Sequence, residues 1–464
     1  MTRLSRGFLG AGGIALLASC AVGPDYQRPN FQTTENYKEQ SDWKPTEPND
    51  AMSRGPWWKI FKDEQLTALE AKIQISNENV KAAAAAVDQA RALVAQARAG
   101  FWPTIAASVG PQRGAIGTAP VHTTADATVS GNWTLDIWGQ IRRTVESDRA
   151  SAQASVAALA AATLSAQGEL ATDYFELRAQ DELQRLLDDI VVAEQLSLQI
   201  TESRYKFGVA AKADVVSAET QLLNSQAQQI NAKIQRGILE HAIAVLIGAQ
   251  PAAFSLAIAA MRSDVPTVPA GIPSTLLERR PDVAEAERKM AASNAQIGVA
   301  TAAFFPSLIL SGSDQYTSGT FSRLLNASNR VWAVGPQLAE TIIDGGLRRA
   351  EVAQARAAYE ANVATYRQTV LSGFEQVEDQ IVTLRVLEQQ AVVEDAAVAA
   401  AKEAEKLTLN QYKAGTVPYS SVITAQTTRL SSEETALSVL SSRLQASVTL
   451  IEALGGGWTE AQLK

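Results

Sequence analysis

Ala99-Gly-Phe-Trp-Pro-Thr-Ile105 returns about 200 residues later as Ala302-Ala-Phe-Phe-Pro-Ser-Leu308. Gly139-Gln-Ile-Arg-Arg143 returns as Gly345-Gly-Leu-Arg-Arg349, and Tyr205-Lys-Phe-Gly-Val209 as Tyr412-Lys-Ala-Gly-Thr416. The spacing slips by only a few residues, so residues 99–248 and 302–455 read as one unit written twice. Duplicated units stack or ring up into quasi-symmetric architectures. The pattern directs attention to a shape rather than to a pocket.

Outward from these anchors lie long helix-forming stretches. Gly139 to about Phe207 contains no Pro and one interior glycine, Gly168; Gly345 to about Lys413 contains one, Gly373. Each predicts a helix of roughly 65 residues, about 100 Å at 1.5 Å per residue. In the second copy Val363, Tyr366, Val370, Phe374, Val377, Ile381 and Leu384 recur at spacings of 3 and 4, a coiled-coil seam. The first copy keeps the phase in Val156, Leu159, Thr163, Gln167, Leu170, Tyr174 and Leu177, with two polar residues. Tyr205-Lys-Phe-Gly208 and Tyr412-Lys-Ala-Gly415 end the long helices, with glycine able to supply the left-handed C′ conformation. Return helices follow over about Ala213–Ile247 and Ser420–Leu454, and single shorter helices precede each copy near Asp63–Ala99 and Asp282–Ala302.

Between helices the period changes to two. Ala125, Ala127, Val129, Gly131, Trp133 and Leu135 alternate with Thr124, Asp126, Thr128, Ser130, Asn132 and Thr134. Ile105, Ala107 and Val109 alternate just before, and the second copy offers Ser307–Gln315 and Val331–Ala339. Polar loops join each pair over about Gly110–Thr123 and Ser318–Asn329. This is the length and patterning of a transmembrane β-strand. Phe101, Trp102, Phe304 and Phe305 stand at the helix–strand junctions, with Trp133 and Trp138 nearby, where a membrane-interface belt would lie. Four strands close no barrel, and lipid tolerates no open edge, so strands that span a membrane require several copies.

The N-terminus reads as an export signal. Arg3 and Arg6 precede an apolar run from Phe8 to Leu17, which Leu17-Ala-Ser-Cys20 ends. That tetrapeptide resembles a bacterial lipobox, which implies cleavage before Cys20 and acylation of the only thiol in the chain. Ala21 after it, by the same resemblance, implies outer-membrane delivery. A net charge of −8, made more negative by removal of both signal arginines, argues against nucleic acid as a partner. The two histidines, His122 in the predicted loop and His241 in a helix, have no metal-ligand spacing around them. No nucleophile elbow or phosphate-binding glycine loop is present. The chain therefore reads as a non-enzyme without cofactor or metal.

Together these features resemble the outer membrane efflux protein (TolC-like) family, in its lipoprotein branch of OprM-type channels. Val22-Gly-Pro-Asp-Tyr-Gln-Arg-Pro29, Trp57-Trp-Lys-Ile-Phe-Lys-Asp63 and Ile272-Pro-Ser-Thr-Leu-Leu-Glu-Arg-Arg-Pro-Asp-Val283 carry the resemblance. It implies a mainly α chain with a β-barrel portion: a homotrimer whose 12-stranded barrel continues into a periplasmic helical barrel. Implied partners are a periplasmic adaptor, an inner-membrane pump of the resistance–nodulation–division type, and outer-membrane lipid. The chain would divide into a signal (1–19), a lipidated extended segment (20–62), a first repeat (63–250), a linker (251–281), a second repeat (282–457) and a tail (458–464).

Site residues follow from the resemblance. A periplasmic gate would hold Tyr412, with Asp214 as the acid it can hydrogen-bond. The family's second-hairpin arginine falls on Val417, and its constriction aspartates on Ser421 and Thr424. The tip turns Tyr205, Gly208 and Gly415 would meet the adaptor. The function implied is a passive exit duct for small molecules. A duct for type I protein secretion, or a non-conducting lipid-anchored coiled coil, remain alternatives on sequence.

Overall fold

The computed structural model describes residues 21–29, 37–40, 55–115, 117, 120–268, 279–458 and 463. The signal, Cys20, residues 272–278 of the linker motif and most of the tail lie outside these residues. In chain order the main elements are α1 (Glu64–Ser76), α2 (Glu78–Ala99), β1 (Thr104–Gly114), β2 (His122–Leu135), α3 (Gln140–Lys206) and α4 (Lys212–Leu246). Then follow α5 (Pro281–Ala302), β3 (Ser307–Ser318), β4 (Arg330–Ala339), α6 (Leu347–Ala414) and α7 (Tyr419–Ala453). One order of helix, two strands, long helix and return helix thus occurs twice. The long helices run 67 and 68 residues and the return helices 35 each. No helix among the described residues is long and apolar enough to cross a membrane.

Two expectations need correction. The helix expected over Asp63–Ala99 is two helices, broken at Asn77. This buried side chain accepts from Val80 N at 3.0 Å, capping α2, and donates to Leu246 O at 2.8 Å, at the end of α4. A straight helix would return Val80 N to Ser76 O and leave the Asn77 side chain without these partners, so the break is held by tertiary contact. The loop expected over Gly110–Thr123 is shorter, because β1 runs to Gly114 and β2 begins at His122. Its polar residues pair in the sheet, from Gly110–Asp126 to Gly114–His122.

The chain forms two compact units. One holds described residues 21–29 with Ala85–Val156 and Glu285–Gln368. Its sheet is antiparallel in the order β1-β2-β3-β4. The register places Ile105, Val109, Val129, Trp133, Leu310, Val334, Trp332 and Leu338 on one face. Thr104, Ser108, Thr128, Ser130, Asn132, Ser311, Ser313 and Gln337 share the other. The faces are mostly apolar and mostly polar toward the helix ends of the strands, while toward the loop ends the apolar face also carries Arg113 and the Asp314–Arg330 ion pair, and Ile309 and Val331 stand on the polar one.

The other unit holds the remaining described residues. Its core gathers Trp57, Trp58 and Phe61 of a short 3-10 turn with Leu66, Leu69 and Ile73 of α1. Leu170, Tyr174, Phe175 and Leu177 of α3 and Val377, Ile381 and Leu384 of α6 close around them. The Trp57-Trp58 motif is thus a packing device, and Asp63 after it caps α1 and accepts from the Tyr174 hydroxyl at 2.9 Å. The interior glycines seat side chains from elsewhere. A Cβ on Gly168 would fall about 2 Å from the Glu452 carboxylate, and one on Gly373 would press on Arg280 at 3.3 Å. Arg280 bonds Ala453 O at 3.0 Å and Gln376 at 2.8 Å, satisfying the end of α7.

Glu70 in this core is fully buried, and neither carboxyl oxygen has a partner. Burial, then the nearby Glu452, pushes its pKa from 4.5 up to about 9. Burial raises Glu452 to about 7 and Asp173 to about 6. A folded Glu70 keeps its proton where an unfolded one has lost it, so stability falls as pH rises through that window. Above about pH 8 the titrations of Glu452 and Asp173 are largely complete, which leaves Glu70 as the main source of the fall there. Glu70→Gln is expected to flatten the Tm decline across about pH 5 to pH 9, leaving only the shallower slope that Glu452 and Asp173 contribute at the lower end. An unchanged slope above pH 7 would show that Glu70 is ionised in the folded chain.

Candidate functional site: the strand junctions and the helix tip

At the strand junctions, each helix that follows a hairpin starts under an Asp–Arg clasp. Arg142 donates to the Asp136 carboxylate at 3.1 Å and to the Asp136 and Ile137 carbonyls, while Asp136 accepts from Ile141 N and Arg142 N. In the second run Arg348 pairs with Asp344, bonds Thr341 O and lies 5.3 Å over the Phe304 ring. Asp344, outside the strands, is held below its usual pKa chiefly by the Arg348 hydrogen bond. Trp138 stacks on Phe305 with centroids 4.7 Å apart and donates to Pro306 O at 2.8 Å. Trp133 donates to Phe101 O at 2.9 Å. Trp102 stands 74% exposed. The expected belt aromatics therefore all lie at strand ends, but Trp133 is fixed by a hydrogen bond and half-buried.

Residues 21–26 strap this region. Val22 N bonds Trp138 O at 3.0 Å, and Arg143 donates to Val22 O, Gly23 O and the Asp25 carboxylate. Asn294 reaches Pro24 O at 2.9 Å, and the Tyr26 hydroxyl donates to Glu287. Gly23, at φ +98°, lies so close to Gly298 that a Cβ would sit 2.4 Å from its Cα. Gly23, Asp25 and Tyr26 thus have structural reasons to be what they are, and Val22 and Pro24 hold the strap through their backbone. Ala21 lies against Gly139, so the residue after Cys20 is held at the β2–α3 junction, although Cys20 itself is outside the described residues.

At the tip, both long helices end in the same motif. Gly208 N bonds Tyr205 O and Val209 N bonds Arg204 O; Gly415 N bonds Tyr412 O and Thr416 N bonds Gln411 O. With φ of +73° and +81° at the two glycines, these are Schellman turns. The side chains then diverge. Tyr205 is 45% exposed under Lys212, whereas Tyr412 is 3% exposed, packed edge-on against Tyr419 at 5.2 Å. Burial pushes Tyr419 up to about 12.

The Tyr412 hydroxyl donates to Thr201 at 3.2 Å, not to Asp214. Asp214 instead accepts from Ala211 N at 3.3 Å, at the start of α4. The acid is therefore a capping group in this arrangement. Pro418 fills the equivalent place before α7 and has no N–H to cap, so Ser421 forfeits nothing there. Val417 is half-buried beside the Tyr412 cluster, and Thr424 bonds Ser420 O within its own helix. The tip arginine comes from the first hairpin. Arg204 donates to Lys413 O at 2.7 Å and lies 4.8 Å over the Tyr412 ring. Sequence reasoning missed Arg204, Thr201 and Tyr419; only the place of Arg204, beside the duplicated Tyr-Lys-x-Gly turn, offered a signal.

The outer membrane efflux protein profile matches residues 70–249 and 272–456, most of the chain. The chain belongs to that family. It is 27% identical over 458 residues to the probable efflux pump outer membrane protein TtgC of Pseudomonas putida, covering 96% of this chain and 94% of that one. The solved outer-membrane channel OprN superposes with TM-score 0.86 at 29% identity, covering 95% of this chain and all of that one. The open state of the MtrE outer membrane channel of Neisseria gonorrhoeae gives TM-score 0.83 at 25% identity, over 95% and 99% of the two chains. An outer membrane efflux protein is an exit channel, located in the outer membrane and reaching into the periplasm.

The strap makes a sharp prediction. Gly23→Ala is expected to cost about 1–3 kcal/mol by overpacking and to free residues 21–26, read as faster amide exchange at Val22. Gly110→Ala, with open space around it, serves as the matched control. Unchanged protection in Gly23→Ala would mean the strap is not seated on Gly298.

Proposed function

We propose that this chain is the outer-membrane exit duct of a tripartite efflux pump, passing small molecules without catalysis. Three copies contribute four strands each to a 12-stranded barrel, and their long helices form the periplasmic duct. The observation that carries this reading is the sheet: four strands with one mostly apolar and one mostly polar face, ending at β1 and β4 on edges that have no partner within the sheet. Apolar outward and polar inward is the arrangement of a membrane barrel with an aqueous lumen.

A second observation supports assembly through the helices. On α4, Val216, Leu223, Ile230, Ile234, Ile238 and Val245 remain exposed at spacings of seven and four. That is a coiled-coil seam awaiting another helix. Acylated Cys20, one residue before Ala21, would enter the membrane at the strand ends, where the belt aromatics lie. One acyl anchor binds weakly, so the barrel supplies most of the retention. The first Schellman turn exposes Phe207 and Val209, apolar surface suited to a helical adaptor protein, which in turn engages the inner-membrane pump.

Gating falls to the tip contacts. Arg204 ties the first hairpin to the Lys413 carbonyl and covers Tyr412, doing what an arginine at Val417 would do from the other side. Arg204→Ala is expected to raise the leak conductance of purified protein in planar bilayers several-fold, with Asp214→Ala changing it less. Equal conductance in wild type and Arg204→Ala would remove Arg204 from the gate. Absence of conductance in both the wild type and the tip variants would refute the duct itself.

A further inference from the structure

The junction inside the chain predicts the junction between copies. Within the first hairpin Thr104 opposes Asn132, and within the second Ser307 opposes Ala339. These pairs map β1 onto β3 and β2 onto β4. Where the two hairpins join, β2 pairs with β3 and sets Leu135 opposite Leu308. The same mapping, applied to β4 of one copy and β1 of the next, sets Ile342 opposite Ile105 and Gln337 opposite Gly110.

The side chains bear on this directly. Inside the chain, the residues that follow β2 cover those that precede β3, through the Trp138 stack on Phe305. The counterpart of Phe305 before β1 is Trp102, and it is uncovered at 74% exposure. No tryptophan follows β4; Ile342 and Ile343 do, at 89% and 88% exposure. Both are held in a shaped turn by Arg348, which bonds Thr341 O before them and Asp344 after them. Ile105 is exposed as well. Two adjacent, almost fully exposed isoleucines on a braced turn are costly to leave in water.

We propose that Ile342 and Ile343 of one copy pack on Ile105 and Trp102 of the next. They form an aliphatic counterpart of the Trp138–Phe305 stack that seals each seam between copies at the helix end of the sheet. The occupant is a second copy of this chain, because the exposed groups lie beside the same end of the two unpaired strand edges. Lipid contact alone would not require β4 and β1 to carry complementary groups at matching register.

This inference rests on the barrel reading above, and two cysteine pairs separate their failures. In membranes, Ile342→Cys with Ile105→Cys is expected to give a ladder of two and three linked chains under a short bismaleimide, absent from either single variant. Gln337→Cys with Gly110→Cys tests the strand pairing alone. Linking of both pairs supports the proposal. Linking at 337–110 without 342–105 overturns the isoleucine contact and leaves the barrel standing. Linking of neither pair in protein that migrates as three copies overturns the register and the contact with it. Linking of neither in protein that migrates as single chains overturns both readings. Ile342→Ser with Ile343→Ser should also lower the temperature at which copies separate in detergent, without changing the helical circular dichroism of the chain.

Discussion

An unpaired strand edge in lipid is the constraint on which the account depends. β1 and β4 each present an open edge about ten residues long, along which every second residue's backbone N–H and C=O lack a neighbour in the sheet. In water such edges are an aggregation hazard, and in hydrocarbon each unsatisfied group costs several kcal/mol. The sheet also gathers most of its apolar side chains, Ile105, Val129, Trp133, Leu310 and Leu338 among them, on one face, which suits that face to lipid or protein. Both demands are met together only if other copies complete the ring. On the proposed barrel reading, oligomerisation is a condition of the fold rather than an addition to it.

The two runs share a frame and differ where function is specialised. Both long helices stop at glycine in a Schellman turn, yet Tyr205 lies open and Tyr412 is buried. Ala211 has an N–H that Asp214 can cap; Pro418 has none, and Ser421 stands where an acid would be idle. The strand junctions diverge in the same way. Trp138 has Phe305 to cover, while Ile342 and Ile343 face outward. Exposure in one run opposite burial in the other marks the surfaces left for partners.

Much of this was legible in the residues. Period-two alternation through Thr124–Leu135 and the 3–4 spacing through Val363–Leu384 reflect local geometry, so strands and long helices could be read directly. What escaped depends on contacts distant in sequence. The break at Asn77 exists because Leu246 O needs a donor 169 residues away. Gly168 and Gly373 look like weak points of their helices and are seats for Glu452 and Arg280. The pairing of Tyr412 with Asp214 was carried over from the family, but a carboxylate three residues into a helix can be taken by the nearest free N–H. Arg204 resembled any basic residue in a last helical turn.

The most direct measurement is the mass of the detergent-extracted, acylated protein under native conditions, with its secondary structure intact. The account predicts three chains per particle, stable on dilution and falling apart only when the sheet is lost. A folded particle of one chain, with β1 and β4 rapidly exchanging their amides, would contradict it.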